Sequence, residues 1–412
     1  MAGPTITVRM YNVGFGDCFL LLIPGGERTA KVLVDCGSHF LGPGPRPIGE
    51  VARQVVADIT EDGVARIDLV VATHRHQDHV SGFASAAWQD VEVGEVWMPW
   101  TEDPEDDAAE RLREQHSRLA AAIDRAVPTL PQAGVTDDDD LEFIRALAFN
   151  SLTNERAMST LHFGFAGRAR RRFLSRLQEP LQPVEGLPGV TVHVLGPSRD
   201  PAVIARMRPP SEESFLRLVA SGDGPGADGR LPFDLDWSIS ADDFRADPSF
   251  AQLQPGGQVI GMLRKLTRDS VVFTAASLED AVNNTSLMLV FEVGRAVLLF
   301  PGDSQWGTWE LLLADTGTRR LLGRTSFYKV GHHGSHNASP VSYVNSLGAA
   351  SLSAAISVTP VERWKNIPRF ELVQALVEKS HGRVVRMDQL PAEPVDRVTI
   401  RGDVSVDMTV EV

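Results

Sequence analysis

Apolar runs alternate with polar stretches near both ends of the chain, and this pattern predicts β-strands there. At the N-terminal end, residues 5–11, 17–23 and 30–35 alternate or run apolar. The residues from Ile48 to Asp58 have a helical pattern, and the short apolar run 67–72 behind them predicts a buried strand. This order of elements indicates the α/β fold class.

The middle of the chain has a different pattern. The segment Glu102–Val127 is charged and predicts a helix, and a second helical stretch runs from the acidic segment Asp137–Asp140 to about Leu161. Between Asp200 and Asp280, Pro, Gly and Asp are frequent and the periodicity is weak, which predicts loops.

Length and composition indicate one decorated domain. The chain has 412 residues, 43% of them hydrophobic, and can bury a large core. We predict a single domain over 1–412, with a mostly helical insertion at 101–188 and a loop-rich insertion at 199–281, both bordering the site. No apolar run approaches the ~20 residues of a membrane span, and a secretory signal pattern is missing. We expect a cytoplasmic protein with no membrane partner, and no pattern predicts its oligomeric state.

Three histidines and an aspartate follow the predicted buried strand within six positions: His74, His76, Asp78 and His79. Open α/β sheets place ligand sites at the carboxyl ends of their strands. Imidazole and carboxylate groups suit zinc, and they suit manganese where oxygen ligands dominate. The alternative is a polar surface loop rich in histidine, which a lone histidine would favour. Four ligand-type side chains in this order favour a metal site instead.

The H-x-H-x-D-H pattern resembles the signature of the metallo-β-lactamase fold, a superfamily of mostly hydrolytic metalloenzymes. Asn12–Cys18 and Lys31–Gly37 resemble its opening hairpin and its strand-ending Asp-x-Gly. Val297–Asp303 resembles the strand that ends in a metal-bridging carboxylate, and Phe327–His336 resembles the segment with the last metal-binding histidine. The resemblance implies an αββα sandwich that carries the two insertions.

Three short motifs resemble the hydrolase domain of ComEC-type DNA-uptake proteins in a free-standing form. They are Val-Gly-x-Gly-Asp near the start, Asn-Asn-x-Ser-Leu from Asn283, and His-His-Gly-Ser from His332. Those uptake proteins carry membrane channels, so this chain is not expected to transport DNA. Many members have a lone histidine where this chain has Asn283 and Asn284, and often a histidine where it has Ile367. The first metal is therefore expected to have one imidazole fewer, or an amide oxygen in its place.

The resemblance implies a pair of divalent ions, Zn²⁺ or alternatively Mn²⁺, that activate a shared water between them. His74, His76 and a later histidine would hold one ion. Asp78, His79 and another later histidine would hold the second. The candidates for the later histidines are His332 and His333.

Asp303 is expected to bridge the two ions and, with Asp78 and His79, to form the catalytic centre. The alternative for Asp303 is a turn carboxylate after Gly302. Asp35 is expected to accept a hydrogen bond from a ligand imidazole or from the backbone and so to orient the ligand.

Lys329, Ser335 and His336 lie beside the last ligand in the sequence and could contact a phosphate or a carbonyl oxygen. Equally, Ser335 could cap a helix that begins near Pro340, and Lys329 could be a strand-edge charge. The remaining histidines lack metal-ligand spacing and are assigned no function: His39, His116, His162, His193 and His381.

The net charge of −14 argues against tight binding of long duplex DNA, which needs an extended basic surface. The dense basic run Arg168–Arg176 is predicted to be helical. It could meet phosphates or pair with the acidic helices around it, and we favour the pairing.

Three functions follow, in order of preference. The first is a phosphodiesterase or nuclease that acts on nucleic acid or nucleotides. The second is a hydrolase of ester, thioester or amide bonds. The third is a weakly metallated protein that is partner-dependent or non-catalytic.

Overall fold

The computed structural model describes residues 4–26, 28–127, 144, 150, 154–215, 280–348, 350–391 and 393–412. The predicted acidic segment Asp137–Asp140 and most of the predicted loop-rich insertion lie outside these residues. The described strands, in chain order, are β1 (Thr5–Tyr11), β2 (Cys18–Ile23), β3 (Ala30–Cys36), β4 (Thr60–Glu61), β5 (Val64–Val71), β6 (Glu92–Pro99), β7 (Arg170–Leu174), β8 (Val190–Gly196), β9 (Met288–Val293), β10 (Ala296–Phe300), β11 (Phe327–Lys329), β12 (Ser353–Ile356), β13 (Val384–Arg386), β14 (Val398–Arg401) and β15 (Ser405–Glu411).

These strands form two mixed sheets, so the protein belongs to the α/β class. The larger sheet has the order β14-β15-β1-β2-β3-β5-β6-β7, with β4 paired to β5. It is antiparallel from β14 to β3 and parallel from β3 to β7. The smaller sheet has the order β13-β12-β11-β10-β9-β8 and is parallel from β10 to β13.

The described α-helices are α1 (Ile48–Ile59), α2 (Gln77–Val80), α3 (Asp107–Ala126), α4 (Glu155–Phe163), α5 (Pro201–Ile204), α6 (Trp306–Ala314), α7 (Thr316–Leu322), α8 (Val341–Ser346) and α9 (Phe370–Lys379). The predicted charged helix starts at Asp107 because the Asp106 side chain accepts from the amides of Ala108 and Ala109 and caps it. Within the part of the chain that the structure describes, every helix is too short or too polar to cross a membrane.

Alternation along the strands divides the core into layers. On β2, Phe19 faces the smaller sheet, and its ring centroid lies 5.9 Å from that of Phe300 on β10. Leu20, the next residue, faces the other way and belongs to the apolar cluster that α1 covers. On the far side of the smaller sheet, Leu299 packs in a third cluster with Trp309 of α6. The layers therefore run helix, sheet, sheet, helix.

The predictions for the N-terminal strands and for α1 are confirmed, but the prediction of a helix at Arg168–Arg176 is wrong. Arg170–Leu174 forms β7 and pairs in parallel with β6. The two-residue period of a strand puts Arg170 and Arg172 on one face, 3.5 and 3.7 Å from the buried carboxylate of Glu95. Among the described residues, the basic run therefore pairs with a carboxylate of the neighbouring strand β6, and not with the acidic helices that we favoured as its partners.

Candidate metal centre

The histidine-rich loop leaves the carboxyl end of β5 in the middle of the larger sheet. Thr73 anchors its start, since its amide donates to Asp35 Oδ1 over 2.7 Å and its hydroxyl to Asp35 Oδ2 over 2.8 Å. Gln77 begins α2, and its amide donates to Asn150 Oδ1. The four ligand-type side chains of the loop are all buried: His74, His76, Asp78 and His79.

Two strands of the smaller sheet, β10 and β11, end beside the histidine-rich loop. After β10, Gly302 has a φ of +57°, and a Cβ there would lie 2.8 Å from the Ser286 Cβ and 3.0 Å from the Thr73 Cβ. Only glycine fits this close approach, which places Asp303 next to the histidine loop. After β11, the turn Gly331–Gly334 holds His332 and His333 in the left-handed region, with φ of 47° and 52°.

Four of the predicted ligands converge into one buried group. Asp78, His79, Asp303 and His333 each offer a ligand atom, and these atoms lie within 4.8 Å of one another. His333 Nε2 lies 3.2 Å from Asp78 Oδ2, and His79 Nε2 lies 3.2 Å from Asp303 Oδ2. This is the arrangement that a divalent cation needs from nitrogen and oxygen donors.

Hydrogen bonds orient the two imidazoles of this group. His79 Nδ1 lies 2.8 Å from Asp35 Oδ2, as predicted for Asp35. His333 Nδ1 donates to the Ser357 carbonyl over 2.8 Å. In both rings the Nδ1 atom is engaged, so the Nε2 atom is left to face a cation.

His74 and His76 form a second, adjoining group. Their facing nitrogens, His74 Nε2 and His76 Nδ1, are 3.1 Å apart. The ring centroids of His74 and His79 are 4.1 Å apart. His74 Nδ1 lies 3.1 Å from Ser286 Oγ, whose position is fixed because it accepts from the Asp303 amide. The two facing nitrogens can therefore share a proton or a metal ion.

The structure separates the roles of the paired asparagines. Asn284 is fully engaged, because its Nδ2 donates to Ile204 O over 2.8 Å and its Oδ1 accepts from the Gln305 amide over 3.0 Å. Asn283 Oδ1, in contrast, is buried and has no hydrogen-bond partner in the described part of the chain. The Asn283 Nδ2 atom lies 3.4 Å from His332 Nε2. Of the pair, Asn283 alone is available as an amide-oxygen ligand.

The two later histidines are also separated. His333 belongs to the group around Asp78, whereas His332 lies beside Asn283, and its amide donates to Asp303 Oδ1 over 3.1 Å. The structure thus places His333 in the group with Asp78 and His79, and His332 beside Asn283.

Two alternatives from the sequence are wrong. Lys329 is not a strand-edge charge, because β11 lies between β10 and β12 and the side chain is buried. Its ammonium group forms an ion pair with Asp17 and lies 3.5 Å from Asp303 Oδ1. Ser335 does not cap α8, which has Pro340 at its N-cap and no side-chain cap.

Burial and charge set the protonation of the two groups. Burial lowers the pKa of His76 to about 3 and that of His74 well below its usual value, so both imidazoles are neutral at pH 7. Burial also acts to lower the pKa of His79, but Asp303 and Asp78 outweigh it and raise this pKa well above its usual value.

The pKa values of the two carboxylates in the group are both lowered. Burial acts to raise the pKa of Asp78, but His79 and His333 outweigh it and hold this pKa well below its usual range. Burial likewise opposes ionisation of Asp303, and His79 and Lys329 overcome it, so that its pKa is also low.

Several buried atoms of the site have no hydrogen-bond partner among the described residues. These atoms are Asp78 Oδ1, His79 Nε2 and Asn283 Oδ1. Buried polar atoms normally have partners, and bound cations would supply them here. The residues present therefore fit a divalent metal.

A scan against models of known protein families gives no match, and a search of curated proteins finds no relative. The assignment of the site accordingly rests on its geometry.

Sequence reasoning missed Asp17 as a site residue. Asp17, Asp35 and His79 offer ligand-type atoms within 4.8 Å of one another. The signal in the sequence was the glycine before it, Gly16. In the structure Gly16 has a φ of +156°, and a Cβ there would lie 2.7 Å from the Asp78 carbonyl oxygen. Such a close approach shows that this hairpin packs directly against the histidine loop.

Proposed function

We propose that this chain is a metal-dependent hydrolase of the metallo-β-lactamase superfamily, closest to ComEC-type hydrolase domains, and most specifically a phosphodiesterase. The observation that carries the proposal is the buried convergence of Asp78, His79, Asp303 and His333, with ligand atoms within 4.8 Å of one another. The helix, sheet, sheet, helix layering supports the αββα sandwich that this superfamily has.

Two ion positions are proposed from the donor atoms. Asp78, His79 and His333 would hold one ion. His74 and His76 would hold the other, together with Asn283 or His332, and Asp303 lies between the two sets. When bound, two divalent ions lower the pKa of a water and stabilise the negative charge that develops on the attacked group. Zn²⁺ suits the imidazoles and Mn²⁺ the carboxylates.

The other buried side chains prepare the ligands for this task. Asp35 orients His79, and the Ser357 carbonyl orients His333. Lys329 forms an ion pair with Asp17, and its ammonium nitrogen lies 3.5 Å from Asp303 Oδ1. The other carboxylate oxygen, Asp303 Oδ2, lies 3.2 Å from His79 Nε2. Held in this way, Asp303 presents one oxygen to the ligand cluster without moving.

The proposed substrate is a phosphodiester in a nucleotide or a short nucleic-acid strand. The resemblance of the motifs to ComEC-type domains supports this class. The net charge of −14 favours a short substrate over a long duplex. A cytoplasmic location remains part of the proposal.

The test combines metal content with activity. Elemental mass spectrometry of the purified protein should give about two ions per chain, as a bimetal site requires. Hydrolysis of bis(p-nitrophenyl) phosphate should depend on added zinc or manganese, and ester and lactam probes should not be cleaved.

Two isosteric variants serve as a matched pair. Asp303→Asn should lose both metal and activity, whereas Asp403→Asn, at an exposed carboxylate paired with Arg46, should behave as the wild type. Absence of cleavage by the wild type under any metal would contradict the proposal.

A further inference from the structure

Arg369 is attached to the turn that carries the later histidines. Its amide donates to the Gly334 carbonyl over 2.9 Å. The preceding residue, Pro368, packs so closely on this turn that a Cβ on Gly334 would lie 2.6 Å from the Pro368 Cβ. The position of Arg369 is thus coupled to that of His333, the neighbour of Gly334.

The guanidinium of Arg369 forms no ion pair within the described chain, although the charge of the nearby Glu371 acts on it. Its Nε atom is buried and has no hydrogen-bond partner among the described residues. Several other arginines of the described chain pair with carboxylates, such as Arg9 with Asp407 and Arg386 with Asp388. A buried N–H donor without an acceptor is costly, and the cost disappears when an anionic oxygen binds.

Positive charge gathers on this side of the centre. Burial lowers the pKa of His336 to about 4, and the charges of Arg369, His332 and Arg208 act in the same direction. His336 is therefore neutral at pH 7, and the guanidinium groups of Arg369 and Arg208 are the permanent charges that act on it; the buried carboxyl group of Asp280 also lies within reach of Arg208 and His332. In a chain of net charge −14, such a region attracts an anion to the rim of the metal centre.

We infer that Arg369 is a specificity-determining residue, whose guanidinium binds a non-bridging oxygen of the substrate's phosphodiester anion beside the His332–Gly334 turn. The inference rests on the proposed function and deepens it. A guanidinium presents parallel N–H groups that match a phosphate, and a neutral ester or lactam lacks the charged oxygen to receive them. Arg369 thus selects phosphodiesters over the other substrates that such a metal centre can hydrolyse.

The test uses dimethyl phosphate, an unreactive diester anion, as the probe. Its dissociation constant is measured by calorimetry on the metal-loaded protein, for the wild type, Arg369→Gln, Arg369→Lys and the control Arg401→Gln. Arg401 lies on the edge strand β14, where its side chain pairs with Asp407 of β15, and it has no part in the site.

Arg369→Gln should raise the dissociation constant at least about tenfold, as loss of a charge-assisted hydrogen bond predicts, and Arg369→Lys should recover part of it. Arg401→Gln should leave it unchanged, and all four proteins should hold equal amounts of metal. In turnover of bis(p-nitrophenyl) phosphate, Arg369→Gln should raise KM more than it lowers kcat.

A dissociation constant within twofold of the wild type in Arg369→Gln would overturn the inference, as would failure of the wild type to bind dimethyl phosphate. The binding measurement needs no turnover. If the wild type cleaves phosphodiesters and Arg369→Gln binds normally, the inference alone fails. If nothing is cleaved but Arg369→Gln binds more weakly, the proposed function alone fails.

Discussion

The two halves of the proposed metal centre differ in their charge. The carboxylate half consists of Asp78, His79 and His333, where ring nitrogens lie against a carboxylate oxygen. The imidazole half consists of His74, His76 and Asn283, which are neutral donors. Asp303 Oδ2 lies 3.2 Å from His79 Nε2, and the Asp303 amide donates to Ser286 Oγ, which also lies 3.1 Å from His74 Nδ1.

This difference predicts unequal metal affinity. A carboxylate adds Coulombic attraction to coordination, and in a buried site that attraction is weakly screened. We therefore expect the carboxylate half to bind its ion first and more tightly. The imidazole half is expected to fill second, with Asn283 where the resemblance leads one to expect a histidine.

The largest expected effect comes from removing the group that both halves share. Asp303→Ala should lower metal content in both halves and reduce phosphodiester hydrolysis by about 10³-fold or more, because charge stabilisation by both ions is lost. Metal analysis and initial rates test this, with solubility and circular dichroism as controls. A variant that keeps two ions and full activity would exclude a bridging role for Asp303.

The two later histidines should separate the halves. His333→Ala should weaken the tighter ion by about 100-fold, whereas His332→Ala should weaken the other ion by about tenfold, as expected for loss of a ligand and of a supporting contact. Competition with a chelating dye resolves the two affinities. The assignment of the halves is wrong if the two variants affect the same ion equally.

Asn283→His should strengthen the imidazole half. It restores an imidazole beside His332 and should tighten the weaker ion by about tenfold. Asn284→His is the matched control, because Asn284 is bound to the Ile204 carbonyl and the Gln305 amide. It should lower the melting temperature without tightening metal binding. Equal tightening by both variants would show that the gain is not specific to position 283.

The smallest effect is a difference in pH dependence between the halves. The pKa of His79 is raised well above its usual value and that of His333 is also raised, so loading the carboxylate half is expected to release protons. Its affinity should fall as the pH falls, by about threefold from pH 7.0 to 6.5 for each proton released.

The imidazole half should behave differently in the same titration. The pKa of His76 is about 3, and that of His74 is also low, so neither has a proton to lose between pH 6 and 7. Calorimetry in buffers of different ionisation enthalpy counts the protons released by each ion. Equal proton release from both halves would contradict the proposed difference in their protonation before metal binding.

Local pattern was sufficient to predict the strands that carry the site. The apolar run before His74 and the strand before Gly302 are short, buried and bounded by turn residues, so their period and length identify them. The hydrogen bond from His79 to Asp35 also followed from chemistry, because a ligand imidazole needs a partner for its second nitrogen.

Tertiary arrangement decided what the pattern could not predict. Arg170–Leu174 is rich in arginine and has no apolar alternation, yet it is a strand because Glu95 and β6 lie beside it. A strand-edge charge stayed open for Lys329, as an alternative to a substrate contact, because nothing nearby in sequence shows that Asp17, some 300 residues earlier, supplies its counter-charge. The choice between His332 and His333 depended on backbone angles that a sequence does not display.

Those backbone angles place stability and function in opposition. His332 and His333 are consecutive non-glycine residues in the left-handed region, and each costs about 1–3 kcal/mol there. Glycine at either position would relieve the strain and favour the folded chain, but it would remove an imidazole from the centre. Selection for stability alone would therefore replace these histidines with glycine, and only selection for their function can retain them.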